Sequence, residues 1–282
     1  MHNPNVMVLG AGGHAKVVIR TLELLEYQIV GVFDDDPSKC GKFILGHPVQ
    51  GVLEEALDTG CQNAVLAIGD NAIRQRAVER LGALNWITAI HPDAWVDPSA
   101  VLGNGVMVFA GAVIQADAVV GDHVIINTCA SVDHDCLLGD FVHVAPGAHL
   151  AGQVTIGAGV LIGIGGVAAP GTRLGDWSVI GAGGSVVEDI PAHVMATGVS
   201  VCPKKYGGLK YAYSHVPSRN RRGRCPGRGR RHPFGPPGPG TAIGGLRGIA
   251  LRVCRRQTRH RSQCRHGGLA MNFVSQFLPV AV

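Results

Sequence analysis

The residues of this chain best arranged for chemistry lie in the run Asn127-Thr-Cys-Ala-Ser-Val-Asp-His-Asp-Cys136. Its histidine, His134, stands between Asp133 and Asp135. A carboxylate beside an imidazole raises its basicity and can fix its tautomer, which is what a general base requires. Asn127 precedes it by seven residues and His143 follows nine residues later, so both are candidates for the same site. His123 and His149 have no such company and read as solvated surface residues. Cys136 reads as inward packing and Cys129 as an inert corner thiol.

A second cluster could hold a phosphate. Gly10-Ala-Gly12-Gly13-His14-Ala15 lies between an apolar run, Val6–Leu9, and a helical pattern, Ala15–Glu26, whose apolar face reads as Val17, Val18, Leu22 and Leu25. Glycines there let the backbone approach a ligand, and the helix N-terminus attracts negative charge. Asp34 ends the next apolar run, Ile29–Phe33, where a ribose-binding acid would stand. The pattern alone fits a dinucleotide as well as any nucleotide diphosphate, so an NAD-dependent oxidoreductase is an alternative. The segment offers about 85 residues, room for one mononucleotide-binding half.

Two kinds of element must position these groups. Residues 1–90 alternate apolar strands and helical patterns, with a short helix over Gly51–Leu57, a strand at Ala64–Ile68 and a helix at Asn71–Leu81. That order implies a Rossmann-like α/β domain with a parallel sheet. Trp86–Pro92 leads into the second kind of element. From Val96 to Pro191 an aliphatic residue then recurs every six positions without an insertion. Neither a helix nor an alternating strand has that period. It marks a parallel β-helix, a triangular prism whose coils each take three hexads and whose aliphatic residues stack inside. The prism domain is expected over 91–202.

Charge divides the chain differently. All 20 Asp and Glu lie at or before Asp189, with only 8 Lys and Arg before Lys204. From Lys204 onward there are 17 Lys and Arg and no acid. The segment 203–282, with RNRRGRCPGRGRRHPFGPPGPG, has no apolar periodicity and the composition of a disordered basic tail. A nucleic-acid-binding role for it is the alternative to a solvated or out-of-frame extension; a nucleic-acid partner is not expected. The eight cysteines form no C-x-x-C pair, and no apolar run approaches 18 residues. These features point to a reducing, cytoplasmic setting without a membrane partner. The spacing of His134, His143 and His149 does not suit a zinc site between prisms, and no metal is expected.

Five segments in order, GAGGHAKVV, VFDDD, AIGDNAIR, IHPDAWV and INTCASVDHDCLLGDFVHVAPGAHLAG, resemble the bacterial sugar acetyltransferases of the left-handed β-helix superfamily, the PglD and NeuD types. The resemblance covers about residues 5–202. It implies a left-handed prism, a homotrimer with active sites between adjacent prisms, and acetyl-CoA as co-substrate. On that resemblance His134 is the general base and Asp135 the acid that raises its basicity. Asn127 and His143 belong to the same site, with His143 touching acetyl-CoA. The Gly152 N–H would point at the thioester oxygen, and backbone near Ile164 and Ala182 would follow the pantetheine arm. Gly12, Gly13 and His14 match phosphate and sugar contacts, Asp34 and Asp35 match base and ribose contacts, and Gly69 closes that pocket. The implied activity is acetylation of the amine of a nucleotide-linked amino sugar. Acetylation of a sugar hydroxyl, as on sialic acid, is the alternative with the same base.

Overall fold

The computed structural model describes residues 4–198, apart from 83, and the strand Cys202–Lys205. The tail expected from residue 206 onward lies outside the described residues. The N-terminal sheet is built from β1 (Asn5–Leu9), β2 (Gln28–Phe33), β3 (Phe43–Ile44), β4 (His47–Gly51), β5 (Asn63–Leu66) and β6 (Asn85–Trp86), in the order β3-β4-β2-β1-β5-β6. All neighbours are parallel except β3 with β4. β1, apolar and central, is buried over Val6–Leu9. Helices α1 (Gly13–Leu24) and α2 (Asn71–Leu81) connect β1 to β2 and β5 to β6.

α1 buries Ala15, Val18, Ile19 and Leu22, the i, i+3, i+4, i+7 stripe of a helix face. The sequence reading placed that face one step round: Val17 is exposed, and Leu25 falls at the C-cap rather than in the helix. α2 starts where Asp70 accepts the Ile73 N–H at 2.9 Å, and it ends at Gly82. The short helix expected over Gly51–Leu57 is a 3-10 segment at Leu53–Thr59, and Gly51 belongs to β4. The β3–β4 hairpin was not foreseen; its two-residue turn places Leu45 and Gly46 both at positive φ, the geometry that follows strand twist.

The prism repeats every 18 residues, as in the pairs Met107↔Ile125, Val113↔Ser131 and Val119↔Leu137. From Ala89–Ile90 to Ser185–Val186 each strand is two residues long, and these strands stack into three parallel sheets. Valine, isoleucine and leucine at the first hexad position fill the interior, among them Ile114, Ile126, Val132, Val144 and Ile162. Cys136 is buried with them, and Cys129 is an exposed corner residue at φ +55°.

Two boundaries differ from the sequence reading. Ala89–Ile90, within the stretch expected to lead into the prism, already pairs with Met107–Val108 as its first rung, so the boundary expected after residue 90 falls within prism structure. At the other end Cys202–Lys205 pairs antiparallel with Val194–Thr197, across the boundary expected after 202. One prism face is also covered from within the chain. Ala89, Met107, Phe109 and Ile125 share a single buried cluster with Ala15, Val18, Ile19 and Leu22 of α1. The two halves are joined by core, not by a tether.

Candidate active site

His134 and Asp135 form the corner between the sheet containing Ser131–Val132 and that containing Leu137–Leu138. Asp135 takes the left-handed conformation, φ +59°, that lets the chain turn sharply there. The turn brings Asp135 Oδ2 to 2.7 Å from His134 Nδ1, while Asp133 Oδ1 accepts the His134 N–H at 2.8 Å. The His134–Asp135 hydrogen bond raises the imidazole's basicity above the usual histidine value. With Nδ1 engaged and the ring more than half exposed, Nε2 is the nitrogen left to exchange a proton. Gly152 lies one coil further on, in the same column. A Cβ there would come within 2.6 Å of His134 Cε1 and Nε2, so only glycine leaves the ring its place. No backbone carbonyl among the described residues takes the Gly152 N–H.

His143 and Asn127 stand elsewhere, on the face that meets the N-terminal domain. His143 Nδ1 is 3.2 Å from the Gly69 carbonyl and its Nε2 is 3.0 Å from Asn127 Nδ2. Since the amide can only donate and the carbonyl only accept, the proton sits on Nδ1 and the ring is neutral. Burial, reinforced by the positive charge of Arg74, pushes its pKa down to about 3. Asn127 Oδ1 in turn accepts the Thr128 N–H at 2.8 Å. Both ring nitrogens of His143 are therefore spent inside the protein. Ile164 and Ala182 occupy successive turns of the corner column above Thr128 and Pro146, and Ile164 is exposed.

The nucleotide-type residues come together in one cavity of about 580 Å³, lined by Gly12, Gly13, His14, Asp34, Asp35 and Gly69 among others. The acids are already engaged. Asp34 accepts from the Ala11 N–H at 2.6 Å and from Lys39 Nζ at 2.9 Å. Asp35 pairs with Arg80 at 2.7 Å, which holds its carboxyl below the usual range. His14 Nε2 is buried with no hydrogen-bond partner among the described residues, and burial, then Arg74, lower its pKa to about 4. It is thus a neutral polar group rather than a cation for phosphate.

Two features escaped the sequence reading. His123, expected to be solvated, is 5% exposed, stacked on Phe141 at 5.2 Å and edge-on to Trp86 at 5.1 Å. Phe141 comes from the next coil, 18 residues on, and Trp86 from the N-terminal sheet, which no local window reveals. Arg74 and Asn71 at the start of α2 are fully buried against the prism. The only hint of them was their place in the AIGDNAIR segment. Among the described residues no group of His, Cys, Asp and Glu could hold a metal ion, and no helix is long and apolar enough to cross a membrane.

Comparison with known proteins agrees with this architecture. Residues 5–81 match the family described as the PglD N-terminal domain. Perosamine N-acetyltransferase from Caulobacter crescentus, solved as a histidine-to-asparagine variant with CoA and GDP-perosamine, is 40% identical; the likeness covers 72% of this chain and 97% of that one, with a TM-score of 0.68. The acetyltransferase domain of PglB from Neisseria gonorrhoeae, solved with acetyl coenzyme A, is 40% identical over 72% of this chain and all of that one, with a TM-score of 0.67. A UDP-N-acetylbacillosamine N-acetyltransferase of Bacillus subtilis is 39% identical over 111 residues, 38% of this chain and 51% of that protein. The chain thus spans about half the length of that curated relative, and 22% of an uncharacterized mimivirus protein. With 40% identity across nearly the whole of the solved enzymes, a PglD-type α/β domain and a left-handed parallel β-helix, this chain belongs to the acetyl-CoA-dependent sugar N-acetyltransferases of the PglD kind.

Proposed function

We propose that the protein acetylates the amine of a nucleotide-linked amino sugar, with His134 as general base. The observation that carries the assignment is the His134–Asp135 pair, 2.7 Å apart and seated over Gly152. Acetyl-CoA supplies an acyl group on a thioester, reactive enough that no covalent enzyme intermediate is required. The chain's residues then have to hold, orient and move one proton. The Gly10–His14 turn at the start of α1 receives the diphosphate, where the helix N-terminus favours negative charge. Asp34 and Asp35, fixed by Lys39 and Arg80, face the base and ribose. His14, neutral and with a free Nε2, suits a hydroxyl or amine of the sugar better than a phosphate. His134 Nε2 takes the proton from the attacking amine while Asp135 stabilises the imidazolium through Nδ1.

The residues present fit the thioester partner in one respect that can be checked. The unclaimed Gly152 N–H lies beside the base, where a donor to the carbonyl oxygen is needed. Exposed Ile164 and Ala182 in the next column offer an edge for the pantetheine arm. His143 is better read as the residue that holds Asn127 in place than as a direct contact, because both its nitrogens are taken. Nitrogen is favoured over oxygen as the acceptor by the diphosphate-type cavity and by the relatives' named substrates.

A homotrimer with sites between prisms, working in the cytoplasm, completes the proposal. Val101, Val119 and Leu137 form an exposed apolar column up one prism face, which suits a subunit contact. The test is thiol release from acetyl-CoA with GDP-perosamine and with UDP- and dTDP-linked 4-amino sugars. His134→Ala should lower kcat at least ~100-fold with acetyl-CoA affinity nearly unchanged. A loss of only a few-fold would remove His134 from the role of base. Efficient transfer to sugar hydroxyls and none to amines would replace the reaction by O-acetylation.

A further inference from the structure

Arg74 is 1% exposed, and its guanidinium is among the largest groups in the interior, yet no carboxylate pairs with it among the described residues. A buried cation normally has an anion, since desolvating a lone charge is costly. Arg74 instead spends its fork on carbonyl oxygens from both halves of the molecule. Nε donates to His123 O at 2.9 Å, and one terminal nitrogen donates to Phe141 O at 2.8 Å and to Asn71 Oδ1 at 3.0 Å. The other donates to Ile68 O at 3.1 Å and Gly69 O at 3.3 Å. Asn71 Nδ2 continues the pattern, donating to Gly159 O at 3.0 Å and Val160 O at 3.2 Å.

His123, Phe141 and Gly159 are equivalent corner residues of three successive coils, each in the left-handed conformation. The start of α2 therefore reads the prism corner at its own 18-residue pitch. The adjoining side of α2 carries Ile73, Ala77 and Arg80, which line the nucleotide-type cavity. Gly69, on the cavity wall, offers its carbonyl to Arg74 and to His143 together. From His143 the chain of hydrogen bonds passes to Asn127 and Thr128 on the prism. The same guanidinium charge helps keep His14 and His143 neutral, so the donor on His143 stays aimed at Gly69.

We propose that Arg74, with Asn71, is a positioning residue for acetyl transfer: it fixes the register between the nucleotide cavity and the prism coils that carry Asn127 and His134. The inference rests on the reading of that cavity as the site of a nucleotide-linked amino sugar. It differs from a merely structural role in what it predicts. Misplacing an acceptor held at a distance from its base lowers turnover while leaving the binding of each substrate intact. Lysine cannot replace the planar fork that spans carbonyls of two domains.

Arg74→Lys and Asn71→Ala should fold, as read by circular dichroism and thermal unfolding, and should lose at least about tenfold in kcat with GDP-perosamine. KM for GDP-perosamine and for acetyl-CoA should stay within about twofold, and any transfer to free perosamine at high concentration, which uses no nucleotide anchor, should be unchanged. Unaltered kcat on GDP-perosamine overturns the proposal. So does an equal loss on free perosamine, which would mean general damage to the prism. Hydrogen exchange gives a reading that needs no turnover. Saturating GDP or UDP should slow exchange around Phe141–Val144 in the wild-type protein and not in Arg74→Lys; equal protection in both also overturns it. A wild-type protein that binds neither nucleotide would sink the cavity reading itself, and would be recognised as that by the absence of any nucleotide effect.

Discussion

At the scale of single residues, the chemistry turns on which nitrogen of which histidine is available. His134 has Nδ1 tied to Asp135 and Nε2 open, whereas His143 has both nitrogens tied and His14 has a buried Nε2 waiting for a partner. Only the first has its pKa raised, and by a hydrogen bond to a carboxylate rather than by burial. A base works in its neutral form, so activity should fall as pH drops through that raised pKa. Asp135→Asn removes the stabilisation of the protonated ring. The acid limb of the kcat/KM profile should move to lower pH, and the plateau should fall because a weaker base remains. A limb that stays put would assign the titration to another group. The adjacency of His134 and Asp135 was legible in the sequence because the contact is between neighbours. The burial of His123 was not, because it is made by Phe141, one coil further on, and by Trp86 of the N-terminal sheet. Arg74 was equally hidden: a cation on an amphipathic helix reads as solvated until the surface it meets is known.

At the scale of elements, the prism was legible and its junction was not. Six-residue periodicity is local, so every rung announces itself, and α2 lies at Asn71–Leu81, where the sequence reading placed a helix. What the period conceals is the sixth position, which faces outward in each strand. On two faces that position is exposed or partly so, but at Met107 and Ile125 it is 1% exposed because α1 lies over it. The hydrophobic residues there look like any others in the repeat. Met107→Ala would remove a buried side chain from the shared cluster and should destabilise the protein by about 2–5 kcal/mol. Both halves should respond to it. Urea unfolding followed at Trp86 and Trp95, which belong to the first domain and to the prism, should show one coincident transition displaced to lower denaturant. Two separated transitions would show that the cluster does not couple the halves.

At the scale of the whole molecule, the faces of the prism do not meet the same fate. One is covered by the chain's own N-terminal domain, and another presents the column Val101, Val119 and Leu137, exposed by 59%, 42% and 49%. If that column is a subunit contact, Leu137→Glu should convert an assembled protein to smaller species in sedimentation velocity, and activity should fall with it. An unchanged sedimentation coefficient and full activity would place the contact elsewhere. Neither assembly nor which face carries it could be read from hexads, since the repeat treats all three faces alike. The constant 18-residue pitch has a consequence for how such a molecule can change in length. Six residues gained between Ala151 and Ile164 would rotate everything after them by a third of a turn and carry Ile164 and Ala182 to a different edge. Eighteen would lift them by one storey and leave them above Thr128. Growth and loss in this architecture are quantised, and only whole storeys preserve the alignment of its groove.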